Sequence, residues 1–150
     1  MSHVAAVELE IDDLASLREA AKALGLEFVT DQKSFKWFGR FMNDYNGANA
    51  AHLSGIDPKE YGKCLHAIRI PGNDRAYEIG VIKSPTGKGY TLVWDFWMRG
   101  YGLQDVIGKD GGLLKQSYAV MRAKKEMLRK GYRATTTKDA KGSMFLEFTE

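Results

Sequence analysis

Cys64 and His66 stand two residues apart, the spacing that places two side chains on one face of a strand and sets a thiol beside an imidazole. Metal ligation and thiol nucleophilicity are the two chemistries such a pair could serve. Structural zinc takes four ligands, commonly as pairs such as CxxC with HxxxH, and the other histidines, His3 and His52, supply no second pair. A cysteine nucleophile with a histidine base needs a third group to orient the imidazole, and none is evident. The expectation is therefore a buried thiol and a hydrogen-bonded histidine beside Ile68, with no metal, no cofactor and no catalytic residue.

Gly102, Gly108 and Lys109 approach the pattern of a phosphate-cradling loop. Five residues separate the glycines instead of four, and Asp110 stands where a Ser or Thr should meet magnesium. A weaker possibility survives: Gly111-Gly112 at a helix start, with Lys109 and Lys115 nearby, offers free N–H groups and a positive dipole end to an anion. Lys115, Arg122 and Arg129 continue this theme at a spacing of seven, which aligns them within about 40° on one side of a helix. Lys109, Lys115, Arg122 and Arg129 are thus the candidate anion-binding residues, with Glu126 interrupting the stripe.

Asp95 lies in Tyr90-Thr91-Leu92-Val93-Trp94-Asp95-Phe96-Trp97, a run apolar on both faces and hence expected to be central and covered on both sides. A carboxylate there needs a hydrogen-bonded or cationic partner, for which Arg69 and Arg99 are candidates, and is either a structural pair or a general base. The run Phe35-Lys36-Trp37-Phe38-Gly39-Arg40-Phe41 has too many aromatics for an exposed loop. Phe35, Trp37, Phe38 and Phe41 are the candidate partner surface.

These residues need a scaffold, and periodicity supplies one. Val7, Leu9 and Ile11 alternate with Glu8 and Glu10 as a strand. Asp12 or Asp13 caps a helix whose apolar face carries Leu14, Leu17, Ala21 and Leu24, ended by Gly25. Strands are expected at 26–30, around Ile68 and Ile70, over Tyr77–Val81, and over Tyr90–Trp97, the last two joined by Ser84-Pro85-Thr86-Gly87-Lys88-Gly89. A long helix from about Leu113 to Lys130 precedes a hairpin turning at Asp139-Ala140-Lys141-Gly142. Asn46–Ala51 reads as a surface loop and Asp57–Tyr61 as a short helix, within an irregular insertion at about 31–63.

The fold class that follows is α+β: an antiparallel sheet with two helices on one face, ferredoxin-like, in a single domain spanning 1–150. One core is expected, from Val7, Leu9, Leu14, Leu17, Leu24, Ile79, Val81, Trp94, Tyr118, Met121 and Leu128. At 150 residues, with 44% hydrophobic and 27% charged, the chain is long enough to hold that core without metal or disulfide, which excludes a disulfide scaffold or a disordered tail. No apolar run reaches membrane-spanning length, and a single cysteine suits a reducing compartment, so a cytoplasmic protein without a membrane partner is expected. Charge is segregated: residues 1–31 carry seven acids against Arg18 and Lys22, while Lys109 to Lys141 hold ten Lys and Arg against three acids.

Met1-Ser2-His3 before a strand, Asp13-Leu14 then Leu17, Leu24-Gly25, Gln116-Ser117-Tyr118-Ala119, Gly131-Tyr132, and Gly142-Ser143 before Leu146-Glu147-Phe148 form a pattern at both ends of the chain. It resembles a family known as a hypothetical reading frame of algal chloroplasts and cyanobacteria, with bacteriophage relatives. Residues 31–75 are longer than in the plastid members. The resemblance implies a shared fold and brings no catalytic signature. From the residues themselves the expected function is a noncatalytic module that binds another protein, as adaptor or inhibitor. The alternative is binding of nucleic acid or a nucleotide-type anion through the basic C-terminal third.

Overall fold

A computed structural model describes residues 4–37, 62–141 and 143–149. Phe38, Phe41, His3, His52, the 46–51 loop and the 57–61 helix lie outside the described residues. Strands β1 (Val4–Ile11), β2 (Glu27–Val29), β3 (His66–Arg69), β4 (Ile79–Lys83) and β5 (Tyr90–Asp95) form one antiparallel sheet in the order β1-β5-β4-β3-β2. β2 to β5 are a meander, and β1 adds to the outer side of β5. Helix α1 (Leu14–Ala23) therefore carries the chain from one margin of the sheet to the other. A short helix α2 (Leu103–Ile107) and the long helix α3 (Gly112–Arg129) follow β5. α3 leads out of the sheet into a separate hairpin, β6 (Arg133–Lys138) with β7 (Met144–Thr149). The α+β class, the antiparallel sheet and the helices on one face all agree with the pattern of the sequence.

β1 keeps its alternation through an irregularity. Val7 opposes Leu92 and Ile11 opposes Tyr90, so four steps along β1 match two along β5. Because the excess is even, Val7 and Ile11 stay on the same face, and both are buried. Their face meets Leu17, Ala20 and Ala21 of α1, Leu103 and Ile107 of α2, and Leu114 and Tyr118 of α3, over Ile68, Ile79, Val81, Leu92 and Trp94. All of the expected core residues belong here except Leu128, which stands half-exposed near the end of α3 beyond the sheet.

The opposite face is not bare. Ala67, Val93, Phe35 and Cys64 form a second, smaller cluster, with Ala6, Trp37 and Ile82 against it. Its floor is built of small side chains and of Gly80, onto which the Phe35 ring packs so closely that a Cβ there would overlap it. Residues 33–36 are held over the sheet by backbone pairing: Phe35 N–H donates to Gly62 O at 2.9 Å, Cys64 N–H to Lys33 O at 2.9 Å, and Glu78 N–H to Lys36 O at 3.0 Å. The expected single core is thus a main core plus this thin second layer, and β5 is covered on both sides.

Gly80→Ala is expected to destabilise by about 1–3 kcal/mol through overpacking, and Phe35→Ala by about 3–5 kcal/mol through the lost ring. Because the two groups occupy the same space, the double variant should cost clearly less than the sum of the two. Urea unfolding of the four proteins measures that coupling, and strict additivity would contradict the packing.

Candidate partner-binding site

β5 ends at Asp95, which is fully buried. Its Oδ1 accepts the N–H of Trp97 at 2.9 Å, a local carboxylate-to-backbone bond that terminates the strand and turns the chain. Arg69 and Arg99, the cations expected beside it, are committed elsewhere. Arg69 Nε donates to Glu27 at 2.9 Å across β3 and β2, and Arg99 Nη2 donates to Asp105 at 2.6 Å. Asp95 therefore takes a structural part in turn formation.

After the turn, Met98, Arg99, Gly100 and Tyr101 are all left-handed, with φ of 49, 57, 67 and 52°. Three of the four carry a Cβ, and each such residue costs roughly 1–2 kcal/mol against the right-handed alternative. Several contacts over-determine the shape. Gly100 O accepts the Tyr77 N–H at 2.9 Å. Gly100 is buried, and a Cβ on it would crowd Leu103 at 3.0 Å and Trp94 at 3.1 Å, so a larger residue fits only if these neighbours shift. Tyr101 sets its ring edge-on to Tyr77 at 5.0 Å, and Leu103 with Ile107 anchor the following helix in the core. The outcome is a surface projection on which Phe96 is 44% exposed, Met98 61% and Tyr101 39%.

Beside it lies a recess of about 580 Å³ walled by Trp94, Phe96 and Gln104 and bearing Lys109, Asp110 and Lys115. Phe96 belongs to both features, its ring 6.3 Å from that of Trp94. Of the four expected anion-binding cations, Lys109 and Lys115 share this recess. Arg122 and Arg129 do not. Arg122 reaches Asp12 at 3.1 Å and Asp13 at 3.4 Å, and Arg129 pairs with Glu126 at 2.6 Å within α3. The basic stripe is answered by the acidic start of the chain.

The expected aromatic partner surface also divides. Phe35 is 4% exposed and belongs to the second core layer, because the small-residue face of the sheet draws it inward. Trp37 is partly buried against the same layer. Among the described residues the exposed aromatics are Phe145 and Phe148 of β7 and, beside the recess, Phe96 and Tyr101 of 96–101. For the second pair the signal in the sequence is Gly100 and Gly102 on either side of Tyr101, just after a buried-strand pattern.

Cys64 and His66 do not share a face. Cys64 precedes β3 and sits in the second layer, its Sγ donating to Gln32 O at 3.1 Å, and burial pushes its thiol up to about 11. A thiol so raised is a poor nucleophile. His66 faces the helix side next to Phe28, ring centroids 5.4 Å apart, and its Nδ1 accepts the Asp31 N–H at 2.9 Å. Among the described residues no three His, Cys, Asp or Glu side chains gather as metal ligands. Nor is any helix among them long and apolar enough to cross a membrane.

Met98→Gly is expected to stabilise the protein by about 0.5–1 kcal/mol, since relief of the left-handed strain exceeds the entropy cost of glycine and the exposed side chain buries little. Thermal unfolding reads the sign. A second expectation concerns Asp13, whose carboxyl is held at about 2 rather than 3.8, chiefly by the hydrogen bond from Lys125 and against the opposing effect of burial. With the folded value below the unfolded one, its stabilisation is complete above about pH 4 and is lost as pH falls toward 2. Asp13→Asn should cost about 1 kcal/mol at neutral pH and flatten the acid limb of a stability-against-pH curve.

No protein-family model, curated protein or solved structure matches the chain.

Proposed function

We propose that the protein is a noncatalytic module that binds another protein, as adaptor or inhibitor, through the projection formed by residues 96–102. One observation carries the reading: Phe96, Met98 and Tyr101 are held outward on a turn whose backbone is strained at three Cβ-bearing residues. Apolar side chains on an exposed projection lose water when covered, and strain maintained by surrounding contacts is a recurrent mark of functional segments. Aromatics and Met are also the residues enriched at the buried centres of interfaces. The likeness of both chain ends to the plastid reading-frame family brings no site residue and leaves this reading to stand on the surface alone.

The second reading, a nucleic-acid or nucleotide-type anion, is favoured by Lys109 and Lys115 lining one recess beside Phe96. It no longer has Arg122 and Arg129, whose guanidinium groups already face carboxylates.

Site-specific cross-linking in an extract of the protein's own cells tests the first reading. A photoreactive amino acid at Met98 should form a discrete protein adduct that the same group at exposed Lys88 does not. Phe96→Ser with Tyr101→Ser in the same chain should abolish the adduct while thermal unfolding stays cooperative. Identical adducts from positions 98 and 88, or none from 98, would remove the projection as a contact face.

A further inference from the structure

We infer that the projection and the recess form one continuous docking site for an extended acidic segment of a partner protein, with an apolar side chain between Asp or Glu residues. The inference rests on the protein-binding reading above and adds the chemistry of the partner.

Phe96 joins the two halves. It forms part of the recess wall, is 44% exposed, and stands two residues before Met98, itself 61% exposed. An apolar partner side chain seated against Phe96 would share the recess with Lys109 and Lys115 and have Met98 next along the turn. Trp94 makes a dry inner wall, being 3% exposed, and Gln104 offers both a donor and an acceptor to a peptide backbone. Carboxylates near the apolar residue would meet the lysines in a partly desolvated setting, where such pairs fix register more than they add affinity.

Asp110 decides between a peptide and a nucleic acid. It lies in the same recess as the two lysines, and its carboxylate leaves the lining with one net positive charge. A phosphodiester chain presents negative charge at every step and would meet that carboxylate. A peptide can alternate carboxylates with N–H donors and satisfy it. The arginines that would extend a phosphate track along α3 face Asp12, Asp13 and Glu126 instead.

Selection from a displayed library of random peptides of about twelve residues, on the full-length protein, tests the chemistry without knowing the partner. The expected consensus is net acidic with one large apolar residue. Its affinity should fall at least tenfold for Lys109→Glu with Lys115→Glu, and for Phe96→Ser with Met98→Ser, and should weaken as salt rises. Lys109→Gln with Lys115→Gln gives a milder pair, and thermal unfolding of each variant identifies any loss of fold. A consensus without acidic excess, lost only in the Phe96 and Met98 variant, would overturn the acidic partner and leave the protein-binding reading intact. No enrichment, or peptides indifferent to both pairs of changes, would overturn the site as a whole. Displacement of the selected peptides by a single-stranded oligonucleotide, with the oligonucleotide dependent on the two lysines, would overturn it in favour of nucleic acid.

Discussion

The hydroxyl of Tyr118 holds together parts of this fold that lie 106 positions apart in sequence. It accepts the N–H groups of Asp12 and Asp13, at 3.1 and 3.3 Å, and donates to Asp12 Oδ1 at 2.8 Å. Asp13 in turn caps α1 through Ala15 N–H and Ser16 Oγ, and receives Lys125 Nζ at 2.6 Å. Backbone N–H groups at a β-to-α junction must find acceptors when covered by another helix, and here a side chain of that covering helix provides one. Ser117, also buried, donates to Ala20 O at 2.9 Å and fixes the neighbouring turn. The two long helices are thereby locked in both rotation and height. Since α3 begins directly after the 96–111 segment, the same lock sets where Lys109 and Lys115 stand relative to Trp94 and Phe96.

The two faces of the sheet solve different packing problems. On the helix side, Ile68, Ile79, Val81, Leu92 and Trp94 present volume to helices whose contact residues mix large Leu17, Leu114 and Tyr118 with small Ala20 and Ala21. On the other side, Ala6, Ala67 and Gly80 present little, so a single aromatic ring can lie nearly flush with the backbone. A thin cover suffices there because the surface to be covered is shallow. That is why Phe35 is spent on the interior, and why a chain with a partly two-sided sheet needs only a short crossing segment, not a further helix, among its described residues.

Legibility in the sequence follows the range of the interactions. Strand alternation at Val7 to Ile11, a helix cap at Asp12 or Asp13, and the hairpins at 84–89 and 139–142 are local and were readable as such. The pairing of Arg122 with Asp12 spans 110 positions, and only the segregation of acids to the first 31 residues and cations to the last third hinted that the two ends neutralise each other. Phe35 and Trp37 were readable as apolar but not as inward, because burial there depends on alanines and a glycine contributed by other strands. Least legible was the run Met98 to Tyr101: Met, Arg and Tyr disfavour left-handed backbone, and the contacts that impose it come from Tyr77 and Trp94. Here local preference and final geometry disagree, and the surrounding contacts, not the residues' own backbone preferences, set the shape.

Electrostatics sharpen that distinction. A helix rich in Lys and Arg could have been a long cationic track, but the cap that starts α1 draws Arg122 and Lys125 toward it, and Glu126 holds Arg129. The same contacts that bind the helices to each other therefore strip the middle of α3 of free positive charge. What they leave untouched is its beginning, where Lys109 and Lys115 border the aromatic end of β5. Strand end, strained turn and helix start converge there on rigid neighbours, and side chains presented from such a junction lose little conformational freedom when a partner covers them. The contacts that join the helices and the proposed docking surface thus lie at opposite ends of one short stretch of helix, and each constrains the residues available to the other.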